Sequence, residues 1–219
     1  MRTLVIMAAV LLGTALVLGA GAQHAPARAN PLQGHDCFSS DIMRRIEGCT
    51  DLLKQPHLAP SVRADASALR ALALTLIGRY PEAIADYDQA LAKRPDHAVA
   101  LNNRAWALYK MGRIEEAMPD VQKSLQLDGR SPHAFDTRAH LYQARGQADL
   151  AYSDYRQAMA LGGAQMVRLY QCGLQAHGLY SGPVTGIYSE ALGAALKVCV
   201  KSPKCDPLPP DEECKAALS

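Results

Sequence analysis

The 219-residue sequence lacks the short motifs that mark the common enzyme classes. It contains no G-x-S-x-G elbow, phosphate loop, dinucleotide fingerprint or H-E-x-x-H spacing. The histidines are scattered. His133 and His140 stand two helical turns apart without further ligands, which favours two solvated histidines over a metal site. These absences predict a protein that is not an enzyme and that uses no metal and no cofactor.

The sequence also lacks a charge excess. The whole chain has a formal net charge of +2, and without residues 1–22, which contain one arginine, 22 basic and 21 acidic residues leave +1. Proteins that bind nucleic acids or anionic membrane surfaces concentrate positive charge. We therefore expect neither kind of partner.

Long apolar runs are absent except at the N-terminus. Residues 3–19 are nearly all apolar, and small residues suited to cleavage follow at 20–22. This pattern is typical of a secretory signal peptide cut before Gln23. An uncleaved membrane anchor is the alternative, although the run is shorter than the ~20 residues of a spanning helix. We expect a signal peptide at 1–22, a linker at 23–36 and export to the bacterial periplasm.

Cysteine is absent between residues 50 and 171, and the six cysteines lie on either side of that stretch. Exported chains usually pair their thiols, whereas metal binding would need closer spacings such as C-x-x-C. Pairing of neighbours predicts the disulfides Cys37–Cys49, Cys172–Cys199 and Cys205–Cys214.

What the sequence does contain is a 34-residue period. Gly78, Gly112 and Gly146 are each 34 residues apart. The same spacing relates Ala71/Ala105/Ala139, Ala83/Ala117/Ala151, Arg70/Arg104/Arg138 and Asp86/Asp120/Asp154. A fixed period in this range predicts a stack of similar units, each of which buries its apolar face only against its neighbours.

The pattern resembles the tetratricopeptide repeat. Small residues at unit positions 8, 20 and 27 and an aromatic or branched residue at position 24 carry the match, together with Pro95 at position 32 of the first unit. The resemblance implies an all-α solenoid of helical hairpins, and another kind of hairpin bundle is the alternative. The full units are 64–97, 98–131 and 132–165, and residues 37–63 form a degenerate N-terminal unit.

Two departures from the family pattern are informative. Each unit has Arg at position 7 and Asp at position 23, each eight residues from the glycine turn, so that an antiparallel hairpin places them opposite one another. This mirror spacing predicts the ion pairs Arg70–Asp86, Arg104–Asp120 and Arg138–Asp154; two solvated faces are the alternative. Pro119, inside a second helix, predicts a bend.

In tetratricopeptide arrays the first helices line a concave groove, and the resemblance implies that a protein or peptide binds there. The candidate residues are Asn102, Asn103, Trp106, Tyr109, Lys110, His133, Asp136 and His140. Trp106 and Tyr109 either anchor a peptide or pack between repeats. The carboxylate clamp of one subgroup is not expected, because Ala68 and Leu72 replace two of its residues.

Residues 166–200 resemble the small peptidoglycan-binding domain, mainly through the run Gly-Leu-Tyr-Ser-Gly-Pro-Val-Thr-Gly-Ile-Tyr at 178–188. The resemblance implies possible glycan contacts by Tyr180, Thr185, Gly186 and Tyr188. Thr185 replaces the family's acid, so a cap on the last repeat is the alternative. Residues 201–219 form a tail rich in proline and charge.

Together these features predict an exported, non-enzymatic adaptor that binds an envelope protein or peptide through the groove. The alternative is a wall-associated protein that is held to peptidoglycan by residues 166–200.

Overall fold

The computed structural model describes residues 36–208, and all regular secondary structure in this part is helical. After a short 3-10 helix, Asp36–Phe38, the helices are α1 (Ile42–Leu53), α2 (Pro60–Leu76), α3 (Tyr80–Lys93), α4 (Ala98–Lys110), α5 (Ile114–Leu127), α6 (Pro132–Ala144), α7 (Ala148–Ala176) and α8 (Glu190–Cys199). The predicted all-α solenoid of helical hairpins is confirmed. The predicted signal peptide and residues 209–219 of the tail lie outside the described residues.

The glycine period is the period of the hairpin turns. Gly78, Gly112 and Gly146 join α2 to α3, α4 to α5 and α6 to α7, with φ angles of 77°, 72° and 71°. Only glycine adopts this left-handed conformation without strain. Replacement by a side chain would therefore strain each turn at the same point.

Recurring alanines let the two helices of each hairpin approach closely. The six alanines at unit positions 8 and 20 have no exposed surface. Larger side chains such as Tyr87 and Val121 fill the space beside them. Ile84 of the first hairpin packs in the same cluster as Leu108 of the second and Leu141 of the third. Consecutive units therefore share one continuous core, as stacked repeats require.

The three predicted Arg–Asp pairs are confirmed. In each hairpin the arginine Nε lies 2.6 Å from the aspartate Oδ2, and Nη2 lies 2.7–2.9 Å from Oδ1. The carboxylates are buried, whereas the guanidinium groups keep about a fifth of their surface exposed. Two parallel hydrogen bonds of this kind fix the geometry of both partners. Each hairpin is thus held in register across its two helices.

Two helices contain residues that disfavour a helix. Helix α5 continues through Pro119 to Leu127, and the bend expected there stays a prediction. Helix α7 has an unpredicted break at Gly163, whose φ of 62° and ψ of −154° are not helical. The break separates the second helix of the third unit from the segment that covers the end of the array.

The disulfides agree with the sequence analysis only at the N-terminal end. Cys37 is bonded to Cys49, with the Cα atoms 4.3 Å apart. Cys199 is bonded to Cys205, with the Cα atoms 5.3 Å apart. The predicted pairs Cys172–Cys199 and Cys205–Cys214 are therefore wrong, although Cys172 is also disulfide-bonded. The reason is a tight turn after α8, which returns the chain to the end of that helix and brings Cys205 beside Cys199.

The end of the array is covered by the last part of α7, by α8 and by the residues after it. Tyr155 and Met159 of the third unit share a buried cluster with Tyr170, Leu192 and Leu196. This arrangement satisfies the need of a terminal repeat for a cover. Among residues 36–208, no helix combines the length and apolar character needed to span a membrane.

Candidate functional site

The groove residues of α4 and α6 meet in an aromatic cluster. The ring centroids of Trp106 and Tyr109 are 5.2 Å apart, and those of Trp106 and His140 are also 5.2 Å apart. Lys110 places its Nζ 5.4 Å from the centroid of the Trp106 ring, where a cation is attracted by the ring face. Trp106 therefore packs between repeats, yet it remains only half-buried.

The eight predicted groove residues differ in how much of each is accessible. Lys110 and His133 are exposed; Asn103, Trp106 and Tyr109 are half-buried; Asn102, Asp136 and His140 are buried. The expectation of two solvated histidines is wrong for His140, which is 2% exposed. It is covered by a part of the chain that the sequence analysis did not place in the groove.

This cover is the stretch that follows α8, residues 200–208, which we call the groove segment. Gln143 points its Nε2 at two carbonyl oxygens of this segment, those of Ser202 at 2.7 Å and Cys205 at 2.6 Å, and at that of Cys199, the last residue of α8, at 3.3 Å. The hydroxyl of Tyr155 donates to Oε1 of the same glutamine at 2.9 Å. One buried amide of α6 thus fixes the disulfide-closed turn at the mouth of the groove.

Beyond the turn, the segment enters the groove itself. Asp206 places Oδ1 3.0 Å from Nε2 of His140, and its backbone carbonyl lies 2.8 Å from Nε2 of His177. Pro207 is fully buried. The N–H of Leu208 donates to Oδ1 of Asp206 at 3.0 Å, which closes an Asx turn. The segment therefore docks through both a charged contact and apolar burial.

The segment runs along the groove between α4 and α6 and leaves a cavity on each side. Pro203, Tyr109 and Gln143 line a cavity of about 380 Å³ near the C-terminal ends of the two helices. Leu208 lines a smaller cavity of about 200 Å³ near the N-terminal halves of α4 and α6. The direction of the segment is therefore opposite to that of both helices.

The smaller cavity is lined by a residue that has an unsatisfied hydrogen-bond acceptor. Its lining includes Asn102, Asn103, Trp106, His133, Asp136, Thr137 and Leu208. Asn102 is 7% exposed, and its Oδ1 has no hydrogen-bond partner within the described part of the chain. A buried polar atom without a partner costs free energy. An N–H group that reached this oxygen when the Asn102 side chain turned towards the cavity would therefore be stabilised.

Both ring nitrogens of His140 face acceptors. Nδ1 lies 2.8 Å from the carbonyl oxygen of Asp136, and Nε2 lies beside the Asp206 carboxylate. Both bonds form together when the ring is protonated and both nitrogens donate. Asp136 is fixed in turn by the hydroxyl of Tyr170, which donates to its Oδ1. The ring is thus oriented towards the segment by residues behind it.

The electrostatics favour a charged contact between His140 and Asp206. Burial disfavours the charged ring, but Asp136 and Asp206 outweigh this effect and raise the pKa of His140. Burial is the largest single effect on Asp206 and raises its pKa, but the hydrogen bond to His140, the charge of that ring, the Leu208 N–H and Lys110 together outweigh it, so the pKa of that carboxyl is lowered. For Asp136, burial dominates and raises the pKa. The other titratable groups near the ring include Lys110, which lines the same cavity, and Tyr109, whose pKa burial raises to about 12. His133 also acts on Asp136 electrostatically.

Docking of the segment is expected to weaken at alkaline pH. Since folding raises the pKa of His140, the charged ring stabilises docking below about pH 6.5, and this contribution is lost as pH rises through the raised pKa. The lowered pKa of Asp206 removes the contact only in acid, below about pH 3.9. As pH rises from about 6.5 through the raised pKa of His140, we expect faster proteolysis of the groove segment and a red shift of Trp106 emission.

Two histidine variants test the origin of this pH dependence. His140→Phe keeps a ring at the position but cannot be charged, so its pH dependence should be lost. His133→Ala removes an exposed histidine of the same helix and should keep it. A pH profile that is unchanged in His140→Phe would contradict the assignment.

The four predicted glycan-contact residues do not form one accessible surface. Tyr180 is 8% exposed and donates to the carbonyl of Pro183 at 3.3 Å. Gly186 is buried, and its N–H donates to Oε1 of Gln171 at 2.9 Å. Thr185 and Tyr188 are exposed. Two of the four residues therefore serve the loop's own structure.

Comparisons with known proteins agree with the hairpin architecture. The tetratricopeptide repeat family matches residues 69–133. Among solved structures, "MamA 41-end from Desulfovibrio magneticus RS-1" is similar, with a TM-score of 0.50 and 16% identity over 60% of this chain and 72% of that chain. The "MamA RS-1 ArsTM double mutant" has a TM-score of 0.49 and 17% identity, over 59% of this chain and 70% of that one. No curated protein matches the sequence.

These likenesses show a fold and no activity. At such low identity, the first MamA structure establishes only that the hairpin repeats are arranged alike. The resemblance of residues 166–200 to a peptidoglycan-binding domain finds no support in the comparisons. Arguments about function therefore rest on the groove.

Proposed function

We propose that this protein is a non-enzymatic adaptor that binds a peptide segment of a partner protein in the groove between α4 and α6. The observation that carries the proposal is Asn102, which lines a cavity beside Trp106 and whose Oδ1 atom is buried without a hydrogen-bond partner in the described chain. A peptide backbone brings an N–H group with each residue other than proline. Binding such a group would satisfy the asparagine.

The side chains around the cavity are suited to recognition. Asn102 and Asn103 offer amides, Trp106 offers an indole surface and Thr137 a hydroxyl. Partly exposed aromatic rings with adjacent hydrogen-bonding groups are typical anchors at protein interfaces. Binding without chemistry is the function that this combination supports best.

The proposed location is the bacterial periplasm, and the proposed partner is an envelope protein. The two disulfides of the described chain, Cys37–Cys49 and Cys199–Cys205, support an oxidising compartment. The signal-peptide pattern of residues 1–22 agrees with export.

Site-specific crosslinking tests the proposal. A photo-reactive side chain at position 103 should capture a partner in the native envelope, and the purified partner is then titrated against variants. Asn102→Ala should weaken binding about tenfold, the effect of one lost hydrogen bond of about 1.4 kcal/mol. In the free protein the variant loses the hydrogen bond that Asn102 Nδ2 donates to Asn103 Oδ1 at 3.3 Å, whereas the oxygen has no partner, so its stability should fall by about 1 kcal/mol. Trp106→Ala should weaken binding by about 2 kcal/mol or more.

Tyr188→Ala provides the matched control, since Tyr188 is an exposed aromatic residue outside the groove. Its partner affinity should equal that of the wild type. Equal affinity in Asn102→Ala, Trp106→Ala and the wild type would remove the groove from the function.

The alternative, attachment to peptidoglycan through residues 166–200, rests on the resemblance of that segment. Its support is weaker because Tyr180 and Gly186 are buried. Sedimentation of the full chain with purified peptidoglycan tests it. Retention that Tyr188→Ala abolishes would favour wall attachment, and no retention would leave the adaptor.

A further inference from the structure

The groove segment occupies positions that the repeat architecture assigns to a ligand. His140 and Gln143 stand at groove positions 9 and 12 of the third unit, and both use their side chains to hold the segment. No regular backbone ladder joins the segment to α4 or α6. It is therefore held as a bound peptide is held, by groove side chains.

We infer that the partner's binding motif is an aspartate followed by proline and an apolar residue in an Asx turn, and that Asp206-Pro207-Leu208 is an internal copy of this motif. The inference rests on the proposed function of the groove. The partner peptide and the groove segment would compete for the same side chains.

The first position of the motif requires aspartate. Its carboxylate meets Nε2 of His140 at 3.0 Å and also accepts the Leu208 N–H at 3.0 Å. Glutamate carries the same charge, but its longer side chain does not close an Asx turn. Asparagine closes the turn but has no charge for the ring. Only aspartate does both.

The second position suits proline. Pro207 is fully buried, and a buried residue there without an N–H leaves no donor to satisfy. The fixed φ of proline also lowers the entropy that a free peptide loses on binding. Leu208 at the third position reaches the cavity that contains Asn102 and Trp106. A longer partner peptide would continue into that cavity.

Competition with a tethered segment lowers the apparent affinity of the groove. The apparent dissociation constant rises by the inverse of the fraction of molecules whose groove is open. If the segment is docked in about nine molecules of ten, a variant that releases it should bind the peptide about tenfold more tightly. This gain is the signature that a simple cap would not produce.

The test uses the full chain and a labelled peptide, acetyl-Ser-Asp-Pro-Leu-Pro-amide. Asp206→Ala/Leu208→Ala removes the carboxylate contact with His140 and the side chain that reaches the smaller cavity, so it weakens docking of the segment and leaves the groove side chains unchanged. We expect this variant to bind the peptide at least about tenfold more tightly than the wild type does. Peptides with Glu or Asn in place of Asp should each bind it more weakly. Trp106, the only tryptophan, reports the binding by fluorescence.

A folded double variant that binds no more tightly than the wild type would overturn the inference. If the double variant fails to fold, Asp206→Asn serves instead, because it keeps the Asx turn and loses only the charge. Its gain should then be smaller but measurable, and no gain would likewise overturn the inference. This outcome is distinct from failure of the proposed adaptor function. A partner that crosslinks at position 103 and does not bind the Trp106→Ala variant would still show that the groove is a binding site.

Discussion

Asp120→Ala should lower the free energy of unfolding by about 3 kcal/mol, whereas Asp88→Ala should lower it by less than about 1 kcal/mol. Both carboxylates bind the guanidinium of Arg104, at 2.6 Å in each case. They differ in burial, since the Asp120 side chain is 11% exposed and that of Asp88 is 57% exposed. Loss of the buried partner removes two hydrogen bonds of the Arg104 guanidinium and leaves its largely buried charge with only the exposed Asp88 as a partner. Urea unfolding followed by circular dichroism measures both variants.

The double variant Arg104→Met/Asp120→Leu separates pairing from burial. Replacing both members of a buried pair by apolar residues of similar volume removes the unpaired charge, so the loss should be smaller than for Asp120→Ala alone. Equal losses for Asp88→Ala and Asp120→Ala would show that burial does not determine the strength of these contacts.

The hairpin framework was predictable because its constraints are local and repeated. A glycine at the same position of each 34-residue unit fixes the turn. Arg104 and Asp120 are equally far from Gly112 in sequence, which places them opposite one another in any antiparallel hairpin. The same argument applied three times, which is why a single sequence sufficed for the bounds of α3 to α6 and for the three ion pairs. Helix α2 begins at Pro60, four residues before the predicted first unit.

The cover of the groove was not predictable from the same pattern. His140 and Asp206 are 66 residues apart in sequence, and residues 200–208 have neither helical nor strand periodicity. Pairing of neighbouring cysteines failed for a related reason, since Cys199 and Cys205 are joined by a turn whose direction no periodic pattern gives. The available signal lay in α6, where the repeat register places His140 and Gln143 in the groove.

The sequence therefore identified which residues line the groove, but not which of them are covered by another part of the chain. Trp106 and Asn103 line an open cavity, whereas Asp136 and His140 are buried by the chain itself. Repeat register determines which face of a helix lines the groove. It carries no information about what fills the groove, because that depends on contacts with residues outside the repeat.

Gln143→Ala should have the second large effect, a loss of about 2–4 kcal/mol together with release of the groove segment. The substitution leaves a cavity in a buried site, and it removes the donor of three carbonyl oxygens and the acceptor of Tyr155. Released segments should be cut faster by protease, and Trp106 emission should shift to the red. Protease cleavage and Trp106 emission measure release of the segment in the folded variant, and thermal unfolding of the same sample measures the loss of stability.

Gln143→Glu distinguishes the hydrogen bonds from the cavity, because it keeps the volume and replaces the donor nitrogen by oxygen. If the bonds to the segment dominate, this variant should release the segment as readily as Gln143→Ala, since a carboxylate would face the carbonyl oxygens of Ser202 and Cys205. Gln126→Ala, at an exposed site on α5, should change stability by less than about 0.5 kcal/mol. If Gln143→Glu is stable and its groove segment resists protease, docking of the segment depends on Asp206 and Pro207 alone. The contact between Asp206 and His140 would then be what holds the segment in the groove.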